Sequence, residues 1–230
     1  MRMRKHIPNI ITSLNLFSGC IAALLILDTH YSLALLFVIA SGLFDFFDGM
    51  VARLLHVHSP MGKELDSLAD VISFGFVPSL VMFTLLQQES TLFWLPYLGF
   101  FIVIMSAWRL AKFNIDERQS NDFIGLNTPM NTFFILSLPF IREIYPQLFT
   151  PAVLIVITLI TGILLVSEIR LFSMKLSGFA WKENKHRFLF LLFSVLSLLF
   201  LKVLAIPFIL ILYFLFSFLH FSQNPVSKEN

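Results

Sequence analysis

The chain has 230 residues, of which 57% are hydrophobic and 13% charged, with a formal net charge of +2 and a mean hydropathy of +0.85. Because so few polar residues cannot coat a soluble globule of this size, the composition excludes a soluble globular protein. It predicts an all-α integral membrane protein with membrane lipids around it and no nucleic-acid partner. The single cysteine, Cys20, excludes an intramolecular disulfide.

Apolar runs of about 17 to 25 residues predict membrane-spanning helices. We expect a polytopic bundle of about eight, with six as the minimum, in one domain over residues 1–230. Pro139 in the fifth run, and Lys202 with Pro207 between the last two, are the weak points. The predicted spans are 8–28, 31–55, 64–86, 92–112, 129–146, 151–168, 187–203 and 205–222; residues 8–175 form the core, and 187–222 add two C-terminal helices.

The distribution of positive charge predicts the orientation. With Met1 in the cytoplasm and eight crossings, only Arg142 and Lys202 of the 16 Lys and Arg residues lie on the outer side. Positively charged flanks resist translocation. We therefore expect a multi-pass protein of the inner (plasma) membrane, with both termini in the cytoplasm and the basic start at residues 1–6 retained.

Four aspartates interrupt the second and third predicted spans, where a carboxylate costs about 2.5–3.5 kcal/mol on insertion scales. Asp45 and Asp48 are three residues apart and Asp66 and Asp70 four apart, so each pair projects from one helix face. The loop at 54–61 is short enough to hold the two helices as antiparallel neighbours. The four carboxylates are thus predicted to meet at the cytoplasmic end of helices two and three.

Such closely packed carboxylates repel one another unless cations lie between them. Two divalent cations would cancel the charge, and oxygen ligands favour Mg²⁺ or Mn²⁺ over zinc, with Ca²⁺ as a substitute in a crystal. Magnesium usually bridges carboxylates and substrate phosphates, which predicts a phosphate or pyrophosphate substrate. Gly49 and Ala52 lie beside the first pair and leave room for a bulky ligand.

The spacing Asp-x-x-Asp-Gly-x-x-Ala-Arg, eight residues, Gly-x-x-x-Asp-x-x-x-Asp resembles the signature of the CDP-alcohol phosphatidyltransferases. The resemblance implies a membrane-embedded helical fold, a homodimer, and an active site open to the cytoplasm. It also implies two metals held by the first three aspartates, with Asp70 as general base, either completing the second metal site or standing just beyond it. The matching residues are Asp45, Asp48, Gly49, Ala52, Arg53, Gly62, Asp66 and Asp70.

Further segments resemble the phosphatidylserine synthase branch of that family. Asn127 and Met130 depart from its usual proline and alanine. The resemblance implies CDP-diacylglycerol and L-serine as substrates, joined by direct displacement to give phosphatidylserine and cytidine monophosphate (CMP). The segments are 8–19, 67–79, 109–114, 123–129 and 164–175.

Two groups of residues are predicted to contact these substrates. Asn9 and Thr12 remain open between a nucleotide contact and a helix cap, and Arg53 between binding phosphate and bracing an aspartate. The nucleotide and pyrophosphate group is Asn9, Thr12, Gly49, Ala52, Arg53 and Gly62. The serine group is Arg109, Lys112, Asn114 and Thr128, of which the two cations are alternatively membrane-border anchors.

Two other functions fit parts of the pattern. The same transfer to glycerol 3-phosphate or an inositol phosphate would favour a more basic pocket than Arg109 and Lys112 provide. Intramembrane acids also mark ion-coupled transporters, but those sites lie near the bilayer midplane and often within inverted repeats. Here the acids lie towards one membrane face, and the chain has no internal repeat.

Overall fold

The structure is a computed structural model that describes residues 6–57, 59–116, 123–173 and 181–223. Several charges used to predict the orientation lie outside these residues, namely Arg2, Arg4, Lys5, Arg118, Lys175 and Lys228. The described residues form a helical bundle with one short antiparallel strand pair. The helices are α1 Ile7–Leu27, α2 Tyr31–Leu54, α3 Pro60–Asp70, α4 Val77–Glu89, α5 Phe101–Ile115, α6 Thr128–Ile144, α7 Pro151–Val166, α8 Trp181–Leu201 and α9 Ala205–Gln223.

Within the described residues, five stretches are long and apolar enough to cross a membrane. The α7 helix is a shorter apolar helix, and α8 and α9 fall within one of the five stretches. The prediction of an all-α, multi-pass membrane bundle is confirmed, whereas the count of eight crossings stays a prediction. The stretches are Ile7–Leu27, Tyr31–Leu54, Pro60–Glu89, Leu95–Ile115 and Asn184–Ser222.

The third predicted span, 64–86, is longer than expected and is not uniform. The α3 helix continues into a π-helical segment, Val71–Phe76, and then into α4. A π-helix has a wider turn than an α-helix and is uncommon outside functional sites. Ser73, Phe74 and Gly75 in this segment are buried against neighbouring helices. The wide turn therefore lies at the centre of the bundle, directly after Asp70.

Helix α1 packs against α2, α3 and the π-helical segment. Its small residues Gly19, Ala22 and Ala23 are buried and let these neighbours approach closely. Further from the aspartates, Ile26 packs in the same core as Val38 of α2. The packing of α1 thus fixes α2 and α3 side by side.

The strands β1 (Phe123–Ile124) and β2 (Arg170–Leu171) pair antiparallel, with Phe123 opposite Leu171 and Ile124 opposite Arg170. Two residues are too few for the alternating pattern that identifies a strand in a sequence. The all-α prediction accordingly omitted this pair, which joins the start of α6 to the end of α7.

Helices α8 and α9 form a hairpin around a single 3-10 turn, Lys202–Leu204. Lys202 has a φ of 51°, in the left-handed region, where the chain reverses. Pro139 lies inside a continuous α6 and Pro207 in the first turn of α9. Both weak points of the predicted spans are therefore helical or form a tight turn.

Replacing Gly19 by Ala is expected to destabilise the bundle. A Cβ at this position would lie 2.3 Å from Ser73 Oγ and 3.0 Å from Ser73 Cα, so the π-helical segment would have to shift. Overpacking of this kind lowers the free energy of unfolding by about 1–3 kcal/mol. The measurement is the fraction of protein that stays monodisperse in detergent after heating.

Gly42→Ala is the matched control, because its Cβ would meet only Phe74 Cζ, at 3.9 Å. The alanine should be neutral or stabilising, since glycine inside a helix costs about 0.5–1 kcal/mol relative to alanine. If Gly19→Ala and the parent protein lost half of their monodisperse fraction at the same temperature, the inferred close contact between Gly19 and Ser73 would be wrong.

Candidate active site

Three of the four aspartates form a compact triad between α2 and α3. One carboxylate oxygen from each of Asp45, Asp48 and Asp66 lies within 4.8 Å of the others. The carboxylates of Asp45 on α2 and Asp66 on α3 are therefore close neighbours. Two carboxylates so close together repel unless a proton or a cation lies between them. Asp70 lies one turn beyond Asp66 on α3, outside this triad.

The triad fits a divalent cation. Oδ1 of Asp66 is buried and has no hydrogen-bond partner among the described residues. A buried carboxylate oxygen without a partner is costly, and a metal ion would satisfy it. Carboxylates are ligands that Mg²⁺, Mn²⁺ and Ca²⁺ prefer. The described residues therefore contain an acidic cluster suited to such a cation.

Helix α1 holds two of the aspartates through side-chain hydrogen bonds. The hydroxyl of Thr12 donates to Oδ2 of Asp48 at 2.5 Å, and Asn15 Nδ2 donates to Oδ1 of Asp70 at 3.2 Å. The backbone carbonyl of Asn15 accepts from Ser41 of α2 and from Ser73 of the π-helical segment, each at 3.1 Å. Asn15 thus ties three helical elements together beside the acids.

A pocket of about 440 Å³ opens beside the triad. Five of the six residues predicted to contact the nucleotide and pyrophosphate line it, together with Asp48 and Asp66. The sixth, Arg53, is exposed, and its guanidinium lies near Gly49, 3.6 Å from where a Cβ of that glycine would be. The five lining residues are Asn9, Thr12, Gly49, Ala52 and Gly62.

The amino-terminal end of α3 also faces this pocket. Ser59 caps the helix by accepting from the Gly62 amide at 3.2 Å, and Pro60 occupies the first turn. Lys63 lines the pocket as well, and its Nζ donates to the carbonyl of Asn114 at 2.7 Å. A helix amino terminus beside a lysine favours an anionic group such as a phosphate.

The four residues of the predicted serine group lie in different surroundings. Arg109 and Thr128 are buried, and Arg109 Nε donates to the carbonyl of Leu126. Lys112 pairs with Glu168, and Asn114 Nδ2 donates to Ser67 Oγ at 2.8 Å. Arg109 is the member that keeps a buried, unpartnered nitrogen, NH2, within the described chain.

Sequence reasoning missed several polar atoms around the π-helical segment. Asn15 Oδ1, Ser106 Oγ and both amide atoms of Asn131 are buried without hydrogen-bond partners among the described residues. Their elements, α1, α5 and α6, all pack against this segment. Polar residues in otherwise apolar helices were the available signal, but helical spacing alone does not show which of them face inward.

A sequence model of the CDP-alcohol phosphatidyltransferase family matches residues 5–166, which include every residue of the triad and its pocket. The chain belongs to the CDP-alcohol phosphatidyltransferase family. The resemblance inferred from the aspartate spacing is therefore confirmed. Helices α8 and α9 lie beyond the matched residues.

Three of the curated proteins to which this chain is similar have serine in their names. A CDP-diacylglycerol–serine O-phosphatidyltransferase of Bacillus subtilis is 34% identical over 169 residues, covering 72% of this chain and 89% of the relative. One of Saccharomyces cerevisiae is 38% identical over 156 residues, covering 61% and 55%. An archaetidylserine synthase of Methanothermobacter thermautotrophicus is 30% identical over 166 residues, covering 71% and 68%.

Asp66→Asn is expected to weaken Mn²⁺ binding at least about tenfold, because it removes a negative ligand from the triad. The measurement is titration of Mn²⁺ into purified protein in detergent, followed by electron paramagnetic resonance of the free ion. Asp28→Asn is the control, since Asp28 is exposed just after α1, away from the triad. Equal affinities for the two variants would contradict the assignment of the triad as a metal site.

Proposed function

We propose that this protein transfers the phosphatidyl group of CDP-diacylglycerol to the hydroxyl of L-serine, giving phosphatidylserine and CMP. The observation that carries the proposal is the acidic triad beside a pocket with a helix amino terminus at its edge. Carboxylate-held divalent cations and a helix amino terminus both suit the diphosphate of a nucleotide. The names of three similar proteins, each of which includes serine, support L-serine as the acceptor.

Asp45, Asp48 and Asp66 would hold the divalent cations, Mg²⁺ or Mn²⁺, with Asp70 beside them. When bound, such ions polarise the phosphoryl oxygens and neutralise charge on the departing CMP. The pocket lined by Asn9, Gly49, Ala52 and Gly62 would take the nucleotide. Gly62 keeps this space open, because a Cβ there would lie 3.0 Å from Asn9 Oδ1.

Asp70 would act as the general base. Its Oδ1 accepts from Asn15 Nδ2, which orients the carboxylate and leaves its other oxygen available to the acceptor hydroxyl. In this proposal Asp70 takes the proton of that hydroxyl as its oxygen attacks the phosphorus bearing diacylglycerol. The bond from phosphorus to the CMP oxygen breaks in the same displacement, so no covalent enzyme intermediate is required.

Arg109 would bind the serine carboxylate. Its Nε is held by the Leu126 carbonyl, while NH2 is buried and available. A guanidinium fixed in this way suits a carboxylate. Lys112, which pairs with Glu168, and Asn114, which donates to Ser67, would border the serine site. Thr128, at the start of α6, would be a polar contact for serine.

The surrounding charges favour a zwitterionic acceptor over a phosphorylated one. One buried guanidinium accompanies neutral amides and hydroxyls of Asn15, Ser106 and Asn131. These groups offer both donors to a carboxylate and acceptors to an ammonium. The phosphate of glycerol 3-phosphate would carry about two negative charges into a site with this single buried guanidinium.

The remaining predictions concern the setting of the reaction. The site would open to the cytoplasm from the inner (plasma) membrane, with both termini on that side. This proposal is supported by Arg142, one of the two basic residues predicted outside, whose Nε donates to Glu89 Oε1 at 2.7 Å at the far end of α4 from the acids. The homodimer also stays a prediction.

An acceptor panel tests the proposed function. Purified protein is mixed with CDP-diacylglycerol, Mn²⁺ and one of L-serine, glycerol 3-phosphate or inositol, and CMP release and lipid product are measured. Serine should give phosphatidylserine with CMP in equal amounts, and chelation by EDTA should abolish both. Turnover with glycerol 3-phosphate but not with serine would contradict the assignment of serine as the acceptor. If CMP were released with none of the three acceptors, the assignment of the protein as a phosphatidyltransferase would be wrong.

Asp70→Asn should lower kcat by about 10²–10⁴-fold, the usual contribution of a general base. Mn²⁺-dependent binding of CDP-diacylglycerol should persist, because the triad remains. Turnover and binding are measured on the same purified preparation. Asp48→Asn is the comparison, since it should lose metal-dependent binding as well as turnover. Retained turnover in Asp70→Asn would refute the base.

A further inference from the structure

The C-terminal hairpin of α8 and α9 lies outside the residues that the family model matches, yet it contacts the loop that follows α7. This loop contains β2 and Phe172. Phe172 is fully buried, and its ring packs edge-on against Phe190 of α8 at 5.8 Å and Tyr213 of α9 at 5.2 Å between centroids. The loop is therefore held by both helices of the hairpin.

Helix α9 also satisfies the backbone of Phe172. The hydroxyl of Tyr213 donates to the Phe172 carbonyl at 2.8 Å, and the Phe172 amide donates to Ser217 Oγ at 3.3 Å. Tyr213 and Ser217 are one helical turn apart and both buried. Backbone groups within an apolar bundle need such partners, because an unpaired one is costly. Two side chains of α9 thus make the backbone hydrogen bonds of Phe172 that a neighbouring strand would make in a sheet.

From Phe172 the contacts continue to the proposed acceptor site. The preceding residues form β2, which pairs with β1, and beyond β1 the Gly125 amide donates to the Ile169 carbonyl at 2.8 Å. The Leu126 amide donates to the Leu164 carbonyl at 2.9 Å. The carbonyl of the same Leu126 accepts from Arg109 Nε. The position of Leu126 therefore sets where the Arg109 guanidinium is held.

The backbone at Gly125 makes this connection tight. Its φ is +78°, and a Cβ would lie 2.6 Å from the Leu165 carbonyl oxygen and 2.9 Å from that of Ser167. The two loops are in direct backbone contact, so a shift of one displaces the other. The hairpin is thus connected to the guanidinium through the two loops.

We infer that Tyr213 and Ser217 are positioning residues for the acceptor: by holding Phe172 they fix the paired loops, and through Leu126 they fix Arg109. This inference rests on the proposed function, in which Arg109 binds the serine carboxylate. Neither residue touches the nucleotide pocket as its lining is defined above. Their loss should therefore affect serine and leave CDP-diacylglycerol binding unchanged.

The variants that test this are Tyr213→Phe and Ser217→Ala, alone and together, because each removes one hydrogen bond and keeps most of the side-chain volume. The controls are Ser197→Ala in α8, whose hydroxyl donates to the Phe193 carbonyl within its own helix, and Tyr97→Phe at an exposed residue. Both controls lie away from the β1–β2 pair and the triad.

Kinetics give the first measurement. The double variant should raise KM for serine about 3- to 30-fold, with kcat and KM for CDP-diacylglycerol within about twofold of the parent, as expected when ground-state and transition-state binding of one substrate weaken equally. The single variants should show smaller increases. The controls should match the parent.

Hydrogen exchange gives a second measurement that does not depend on turnover. Peptides covering residues 123–126 should exchange faster in the double variant than in Ser197→Ala, because the amides of Gly125 and Leu126 lose their fixed partners. Faster exchange together with the selective rise in serine KM supports the inference.

Three results would overturn it: unchanged exchange, faster exchange with serine KM unchanged, or equal rises in KM for both substrates. A failure of the proposed function is distinguishable, because the parent protein would then release no CMP with serine. The exchange of residues 125 and 126 would still decide whether α9 holds the loop.

Discussion

The whole arrangement depends on gathering negative charge inside an apolar bundle. Carboxylates in such a place are tolerated only if other groups satisfy their oxygens. Helix α1 supplies part of this through Thr12 and Asn15, which donate to Asp48 and Asp70 from one helix face. Oδ1 of Asp66 has no hydrogen-bond partner among the described residues, and a cation would satisfy it. The close packing of α1 against α2 and α3 is therefore a condition of the chemistry as well as of the fold.

The two sides of α2 suit a substrate that is part nucleotide and part lipid. One side carries the aspartates, whereas Leu43, Phe46 and Leu54 are exposed on the outer surface of the bundle. In a membrane such residues contact acyl chains. In the proposed reaction, the nucleotide head group would occupy the polar pocket while the lipid tails stay in the bilayer, and the water-soluble acceptor would bind beside α5 and α6. The proposed reaction therefore takes place where these two environments meet.

The sequence predicts the site more fully than it predicts the bundle. Of the four carboxylates predicted to meet, those of Asp45, Asp48 and Asp66 lie together, because helical spacing puts each pair on one helix face and the short loop holds α2 beside α3. Asp70 lies outside the triad. Of the residues predicted to contact the nucleotide, Gly49, Ala52, Arg53 and Gly62 follow from the family motif, whereas Asn9 and Thr12 lie outside it. Asn15 and Asn131 are not predictable in this way, since their orientation depends on how distant helices pack. Helix α3 begins earlier than hydropathy indicates, because Ser59 and Pro60 start it in a polar segment.

The π-helical segment has a consequence for how this chain can change. Each residue of an ordinary helix advances about 100° around its axis, so a wide turn offsets the faces on its two sides. Here that offset lets Asp66 face α2 and Asp70 face Asn15 of α1, while the Phe74 carbonyl accepts from Thr132 of α6 and Gly75 lies against Ser106 of α5. Deleting one residue from 71–76 would restore a regular helix but rotate the acids away from their partners. The number of residues in this stretch is therefore constrained in addition to their type.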